Sequence, residues 1–179
     1  MKQLILIRHC HAEGKHKDSP LTNLGVNQAR RLAEYLEKEG LKPEKLVSSP
    51  YMRAVETIRP YARQHDLEVI KDTRLQEQVL SDQPVDDYVG VVKASFSDPD
   101  YKLPGGESAK DALSRFKQVI DEYSEEEAPL LVVTHGHLLA LYLHEINPDF
   151  NFKDWQVLKN PDVFIVHIDG DHQELKHVW

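Results

Sequence analysis

Two short segments of the sequence carry side chains suited to phosphoryl chemistry. Arg8 and His9 directly follow the apolar run 4–7, and His135 follows the apolar run 130–133 after Thr134. A guanidinium binds anions through a fixed fork of N–H donors, and a neutral imidazole attacks phosphorus readily. The pattern predicts a phosphate-binding site that contains a nucleophilic histidine.

A second arginine stands in a similar position. Arg53 comes three residues after Pro50, which ends the strand-like segment 46–49, and it lies at the start of a helical segment, 52–64. The first turn of a helix offers free amide hydrogens and the positive end of the helix dipole to an anion. We therefore expect Arg53 to join Arg8 in holding a phosphate.

Strand-like and helical segments alternate along the chain, which is typical of a mostly parallel sheet covered by helices. The predicted helices run from the N-cap Thr22 to Gly40, then over 52–64 and 85–96, from Ser108 and Asp111 onward, and over 138–146; the predicted strands are 4–7, 46–49, 67–70 and 130–133, with a C-terminal hairpin of 163–168 and 173–178. The first helix is expected to bury Val26, Ala29, Ala33 and Leu36.

These elements predict an α/β fold, a three-layer αβα sandwich whose central sheet is mostly parallel with an antiparallel C-terminal edge. Its 179 residues predict a single domain, 1–179. Ligands of such sheets bind beyond the carboxyl ends of the strands. Arg8, His9, Arg53 and His135 are expected to converge there.

Composition and charge indicate which kinds of binding partner to expect. The formal net charge of −8 disfavours nucleic acid and anionic membrane surfaces, so a small phosphorylated molecule is the expected partner.

Lone Cys10 cannot form an internal disulfide, and the apolar run before Arg8 is too short for a signal peptide, so a cytoplasmic location is expected. No apolar run is long enough to cross a membrane.

Five ordered motifs identify a resemblance to a known family. They are Arg8-His9, Leu21-Thr22-x-x-Gly25-x-x-Gln28-Ala29, Ser48-Ser49-Pro50-x-x-Arg53-Ala54-x-x-Thr57, Gly106-Glu107-Ser108 and Thr134-His135-Gly136. In this order and spacing the sequence resembles the histidine phosphatase superfamily, with its phosphoglycerate mutase-like fold, over almost its whole length.

The resemblance implies a phosphohistidine mechanism with no cofactor and no metal ion. It places the nucleophile at His9, the phosphoryl-binding groups at Arg8, Arg53 and His135, and the general acid at Glu77. It further implies that Gly136 and Thr22 contribute to substrate binding.

The sequence departs from the family pattern directly after the nucleophile. Cys10 replaces the usual glycine, and His11 follows in place of the more common acidic residue. Cys10 is expected to be a small buried apolar residue rather than a reactive thiol.

Hydrolysis of small phosphomonoesters is the predicted activity, and three alternatives are weighed against it. Within the family, a mutase would return the phosphoryl group to a phosphoglycerate, but the short 72–106 segment leaves little material for a lid that excludes water. A His-rich metallohydrolase is suggested by His9-x-His11 and His135-x-His137, yet the neighbouring arginines would repel a divalent cation. The catalytic residues argue against an inactive phosphate-binding module. The sequence does not name the substrate or the oligomeric state.

Overall fold

A computed structural model describes residues 1–179 as six strands and six helices around one sheet. The strands are β1 (Lys2–Arg8), β2 (Lys45–Ser48), β3 (Val69–Lys71), β4 (Leu130–Thr134), β5 (Asp162–Asp169) and β6 (His172–His177). The helices are α1 (Asn23–Lys38), α2 (Met52–Gln64), α3 (Tyr88–Ser97), α4 (Ala109–Tyr123), α5 (Gly136–Ile146) and α6 (Phe152–Gln156), and a single 3-10 turn covers Thr73–Leu75.

The sheet confirms the predicted fold class. Its strand order is β3-β2-β4-β1-β5-β6, in which β1 to β4 run parallel and the last two strands pair antiparallel. The carboxyl end of β1 therefore meets the carboxyl ends of β4 and β2. Arg8 pairs with Thr134 in this register, so His9 and His135 follow neighbouring strand ends.

The two faces of the sheet bury two separate apolar clusters because successive strand residues point to opposite faces. Leu4 and Leu6 of β1 pack with Phe116 and other side chains of the α4 and α5 layer. Ile5 and Ile7 pack with Leu32 and other side chains of the α1 and α2 layer. Helices on both faces of the sheet make the three-layer sandwich.

Local signals in the sequence explain where the helices begin and end. The Thr22 side chain accepts a hydrogen bond from the Gly25 amide at 3.0 Å and caps α1, as predicted. Ser108 and Asp111 form the capping box of α4. Helix α2 has the predicted bounds and continues past Pro60.

Two expectations about the helices were wrong or incomplete. Val26 is 39% exposed, and the buried face of α1 is turned toward Gly25 and Leu32 instead. The short helix α6 had no counterpart among the predicted elements. No helix of the chain combines the length and the apolar character needed to cross a membrane.

Candidate active site

His9 lies beyond the carboxyl end of β1, and the partners of its ring fix the position of its proton. Nδ1 is 2.7 Å from the backbone carbonyl oxygen of Cys10, which can only accept, so Nδ1 carries the hydrogen. The Nε–H of Arg53 donates to Nε2 at 3.2 Å. Nε2 therefore holds its lone pair beside a guanidinium, which is the state that a nucleophilic imidazole requires.

Arg53 connects the two histidines. Its Nη2 lies 3.4 Å from Nδ1 of His135, and because arginine only donates, this nitrogen accepts. The other ring nitrogen of His135, Nε2, then donates to Ser49 Oγ at 2.8 Å. The Arg53 Nη1 group donates to the backbone oxygen of His16 at 3.2 Å, which ties the loop 13–19 to this network.

Arg8 enters the same space from β1 with an unused donor. Its Nη1 donates to the backbone oxygen of Leu158 at 2.9 Å, whereas its buried Nε has no hydrogen-bond partner. Gly136 allows the guanidinium to pack against the start of α5, because a Cβ there would lie only 2.9 Å from Arg8 Nε. A buried N–H donor without a partner, on a positive side chain, suits an anionic ligand.

Burial keeps both histidines neutral. It lowers the pKa of His9 to about 3, with further lowering by the positive charges of Arg53 and Arg8, although the bond to the Cys10 carbonyl opposes the shift. Burial likewise holds the pKa of His135 well below its usual range, with help from His9 and Arg53. Burial also lowers the pKa of both arginines, which nevertheless stay charged at neutral pH.

Glu77 reaches the site from the loop after β3. Oε2 accepts the His137 amide hydrogen at 2.9 Å, and Oε1 accepts those of Leu138 at 2.8 Å and Gln78 at 2.9 Å. The carboxyl group is thus seated on the first turn of α5, the helix that His135 precedes. The negative charge of Glu77 opposes the effect of burial on the pKa of both Arg8 and Arg53.

A bidentate ion pair holds the backbone that carries Glu77. Arg115 of α4 donates its Nε to Glu107 Oε2 at 3.1 Å and its Nη2 to Glu107 Oε1 at 2.5 Å. The same guanidinium donates to the backbone oxygens of Arg74 at 2.6 Å and Gln76 at 2.8 Å. The motif residue Glu107 therefore helps to hold the segment that carries Glu77.

Thr22, Cys10 and His11 shape the loop that follows the nucleophile. The side chain of Thr22 contacts His11 Nδ1 at 2.8 Å as well as capping α1. The Cys10 amide donates to Thr57 Oγ1 at 2.8 Å, and burial raises the pKa of its thiol to about 12. Cys10 is a fully buried, protonated residue, as expected from the sequence.

The structure brings residues to the site that the sequence did not single out as functional. The side-chain amide of Asn160 donates to the His9 backbone oxygen at 2.9 Å, and Ser49 orients His135. Tyr88 of α3 lies under the Lys15 ammonium, 4.4 Å from its ring centre, and burial raises the pKa of its phenol to about 12. Ser49 stands within one of the family motifs, but Tyr88 and Asn160 lie outside all of them.

The predicted residues thus occupy one crevice, with one distinction among them. Arg8, His9, Arg53, His135 and Glu77 surround a common space, and the Gly136 backbone borders it. Thr22 supports the loop beside this space through His11. Nowhere in the chain do three His, Cys, Asp or Glu side chains gather as a group that could hold a metal ion.

Comparison with known proteins agrees with this geometry. The histidine phosphatase superfamily (branch 1) matches residues 4–179. A 2,3-bisphosphoglycerate-dependent phosphoglycerate mutase of Rhizobium etli is 30% identical over 78% of this chain and 77% of its own. Phosphoserine phosphatase 1 of Hydrogenobacter thermophilus is 27% identical over 94% of this chain and 88% of its own.

A solved structure shows the same architecture. The mycobacterial glucosyl-3-phosphoglycerate phosphatase in complex with VO3 superposes with a TM-score of 0.78 at 27% identity, covering 99% of this chain and 98% of that one. Because the family match covers residues 4–179, this chain belongs to branch 1 of the histidine phosphatase superfamily.

Proposed function

We propose that this protein hydrolyses small phosphomonoesters through a phosphohistidine on Nε2 of His9. The observation that carries the proposal is the hydrogen bonding of that imidazole. The Cys10 carbonyl accepts the Nδ1 hydrogen, so Nε2 is the unprotonated nitrogen; its lone pair accepts a hydrogen bond from Arg53 Nε, and this bond passes to the phosphoryl oxygens as Nε2 attacks. The neutral ring needs no deprotonation before attack.

The other groups perform the electrostatic work of the transfer. As Nε2 attacks phosphorus and the P–O bond breaks, Arg8 and Arg53 neutralise the equatorial oxygens, in line with the general reliance of phosphoryl transfer on positioning and charge. The neutral ring of His135 adds no charge, but it holds Arg53 in place by accepting from its Nη2 group. The two guanidinium groups supply the charge that a metal ion supplies elsewhere, which supports a metal-independent reaction.

Glu77 is proposed to move the proton in both steps. In its acid form it protonates the leaving oxygen as the phosphohistidine forms. The resulting carboxylate then takes a proton from water as that water attacks phosphorus. Phosphate and free His9 are the products, and Glu77 regains its acid form.

A phosphoglycerate mutase activity is the second candidate, because one of the compared relatives carries that name. Hydrolysis is favoured because the segment between β3 and α4 contains only a 3-10 turn and the ten-residue helix α3, which is little material to exclude water. Measuring phosphate release with and without added 3-phosphoglycerate distinguishes the two. Transfer to the acceptor in place of phosphate release would establish the mutase.

Trapping the intermediate tests the proposal. After a short incubation with a ³²P-labelled monoester in EDTA, the denatured protein should carry label that acid releases and alkali does not. His9→Asn should carry none, whereas His172→Asn, which alters an exposed histidine on β6, should label like the wild type. Label in the His9 variant, or activity that EDTA abolishes and a divalent ion restores, would overturn the proposal.

A further inference from the structure

Three aromatic side chains and two lysines lie beside the crevice, on the loop 13–19 and on helices α3 and α6. The Tyr88 and Trp155 rings lie 6.2 Å apart between centroids, and Trp155 stacks on Phe152 at 5.7 Å. The Lys15 ammonium lies 4.4 Å from the Tyr88 ring centre, and that of Lys93 lies 5.9 Å from the Phe152 ring centre. We call Tyr88, Phe152 and Trp155 the aromatic wall.

Each end of the aromatic wall is tied to a group of the reaction centre. The Trp155 backbone oxygen accepts the Leu158 amide at 3.3 Å, and the Leu158 oxygen accepts Arg8 Nη1 at 2.9 Å. Trp155 also packs edge-on against the His137 ring at 6.3 Å, and the His137 amide donates to Glu77. The wall is therefore fixed relative to the phosphoryl-binding side chains.

The Tyr88 side of the wall is held in the same way. Lys15, which lies over the Tyr88 ring, belongs to the loop whose His16 carbonyl accepts Arg53 Nη1 at 3.2 Å. Tyr88 itself is half-buried between Lys15 and Trp155. The leaving group of a phosphomonoester bound at His9 can therefore reach the aromatic wall.

The aromatic wall and the residues around it are apolar and positively charged. All three rings of the wall are only half-buried, and nearby exposed valines continue the apolar surface, with Val89 47% and Val157 75% exposed. Half-buried aromatic rings bind flat, unsaturated partners by offset or edge-to-face contact. Lys15 and Lys93 favour an electron-rich ring and oppose a cationic leaving group.

We propose that the aromatic wall binds the leaving group and selects phosphomonoesters that carry a planar unsaturated ring. The inference rests on the proposed function, which places the phosphate at His9. It adds the substrate class and assigns Trp155 and Tyr88 as specificity-determining residues. The ring contacts the wall while the ester oxygen remains beside Glu77.

Two matched esters test this preference. 2-Phenylethyl phosphate and 2-cyclohexylethyl phosphate have the same chain length and similarly basic primary leaving groups, so they differ mainly in the flatness and π-electrons of the ring. We expect wild-type kcat/KM to favour the phenyl ester about fivefold, the size of an aromatic contact beyond its buried area. Trp155→Leu should remove this preference and leave the cyclohexyl ester within about twofold.

Two further variants control for general damage. Trp179→Leu alters the other tryptophan, whose ring packs against Tyr35 of α1 at 4.9 Å, and it should keep the preference. Trp155→Phe retains an aromatic ring and should keep most of the preference for the phenyl ester. If Trp155→Leu fails to fold, Tyr88→Leu provides the same test. Equal kcat/KM for the two esters in the wild type, or equal losses for both in Trp155→Leu, would overturn the proposal.

Binding of the corresponding phosphonates separates this proposal from the proposed function. 2-Phenylethyl and 2-cyclohexylethyl phosphonate cannot transfer a phosphoryl group to His9 and share the same anionic group, so the ratio of their Kd values reports the aromatic wall. A phenyl preference that Trp155→Leu removes would support the wall even if the phosphohistidine experiment failed. Equal Kd values alongside a labelled His9 would reject the wall and leave the proposed function intact.

Discussion

The proposed phosphoryl-binding pocket and the proposed leaving-group side of the crevice are built from different kinds of structure. Arg8, His9 and His135 lie at or just beyond the ends of buried strands, and hydrogen bonds fix each ring or guanidinium. The leaving-group side consists of loop 13–19 and the short helices α3 and α6, whose side chains meet mainly through ring contacts. The difference implies that the reaction is fixed by the sheet, whereas selectivity can change with the loops.

The largest effect that distinguishes the two sides is expected from Glu77→Gln. An alkyl phosphate releases a basic oxygen that needs a proton, whereas nitrophenyl phosphate releases a stable anion. Single-turnover bursts should slow by roughly 10² to 10⁴ for the alkyl ester and far less for the nitrophenyl ester. Equal slowing would remove Glu77 from the acid role.

Arg53→Lys should instead slow both esters alike. The substitution removes the fork that contacts His9 and His135, and loss of one transition-state donor lowers rates by about 10² to 10³. Arg59→Lys, an exposed change on the same helix, is the matched control and should match the wild type. A strong dependence of the Arg53→Lys loss on the leaving group would mean that this arginine assists departure of the ester oxygen.

Like Glu77→Gln, Arg115→Lys should slow the single-turnover burst more for the alkyl ester than for the nitrophenyl ester. The effect should be smaller, about tenfold for the alkyl ester. Lysine cannot span Glu107 and the two backbone oxygens that hold the Glu77 segment. Lys117→Ala, which breaks an exposed ion pair on the same helix, should leave both bursts within twofold. An Arg115→Lys loss of equal size for both esters would indicate a general structural role.

Burial of the pocket histidines should also make stability depend on pH. The pKa of His9 is lowered to about 3, so between that value and the unfolded value near 6.5 the unfolded chain binds a proton that the folded chain does not. Stability is therefore fully present above the unfolded pKa and falls as pH decreases, by about 1.4 kcal/mol per pH unit for each such histidine.

Urea unfolding between pH 7 and pH 5 measures this slope. His135→Asn should reduce it, because burial also lowers the pKa of His135. His16→Asn should leave it unchanged, because that side chain is 70% exposed on the leaving-group side. A slope in His135→Asn equal to that of the wild type would contradict the assigned burial effect.

The smallest effect is expected from Cys10→Gly. Burial raises the pKa of this thiol to about 12, so it carries no thiolate that could act as a nucleophile. The variant should keep its rate within about tenfold of the wild type, a barrier change of at most about 1.4 kcal/mol. Loss of all phosphoenzyme while His9 remains would transfer the nucleophile to the cysteine.

The sequence predicted the sheet and the pocket because both follow from local patterns and one topological rule. Buried runs such as Leu130–Val133 predict strands, and parallel strands bring their carboxyl ends together, so His9 and His135 had to meet. Helix α2 follows from its composition, and the caps of α1 and α4 follow from their side chains.

The remaining features depend on contacts between distant segments. Tyr88 and Trp155 meet through helices that have weak or no periodicity of their own, so no local pattern could pair them. Val26 fits an apolar helical pattern, yet the rotation of α1 is set by close packing at Gly25, where a Cβ would lie 2.0 Å from the His11 carbonyl oxygen. Glu77 was identified by family resemblance, since only the fold brings it to α5.

The central place of β1 has a consequence for folding. β1 comes first among the six strands along the chain, but its two neighbours in the sheet are β4 and β5, which span Leu130–Thr134 and Asp162–Asp169. Pairing of such distant segments closes long loops and is slow to form. His9 and His135 therefore come together only when this long-range pairing forms, so the pocket folds late and as a unit.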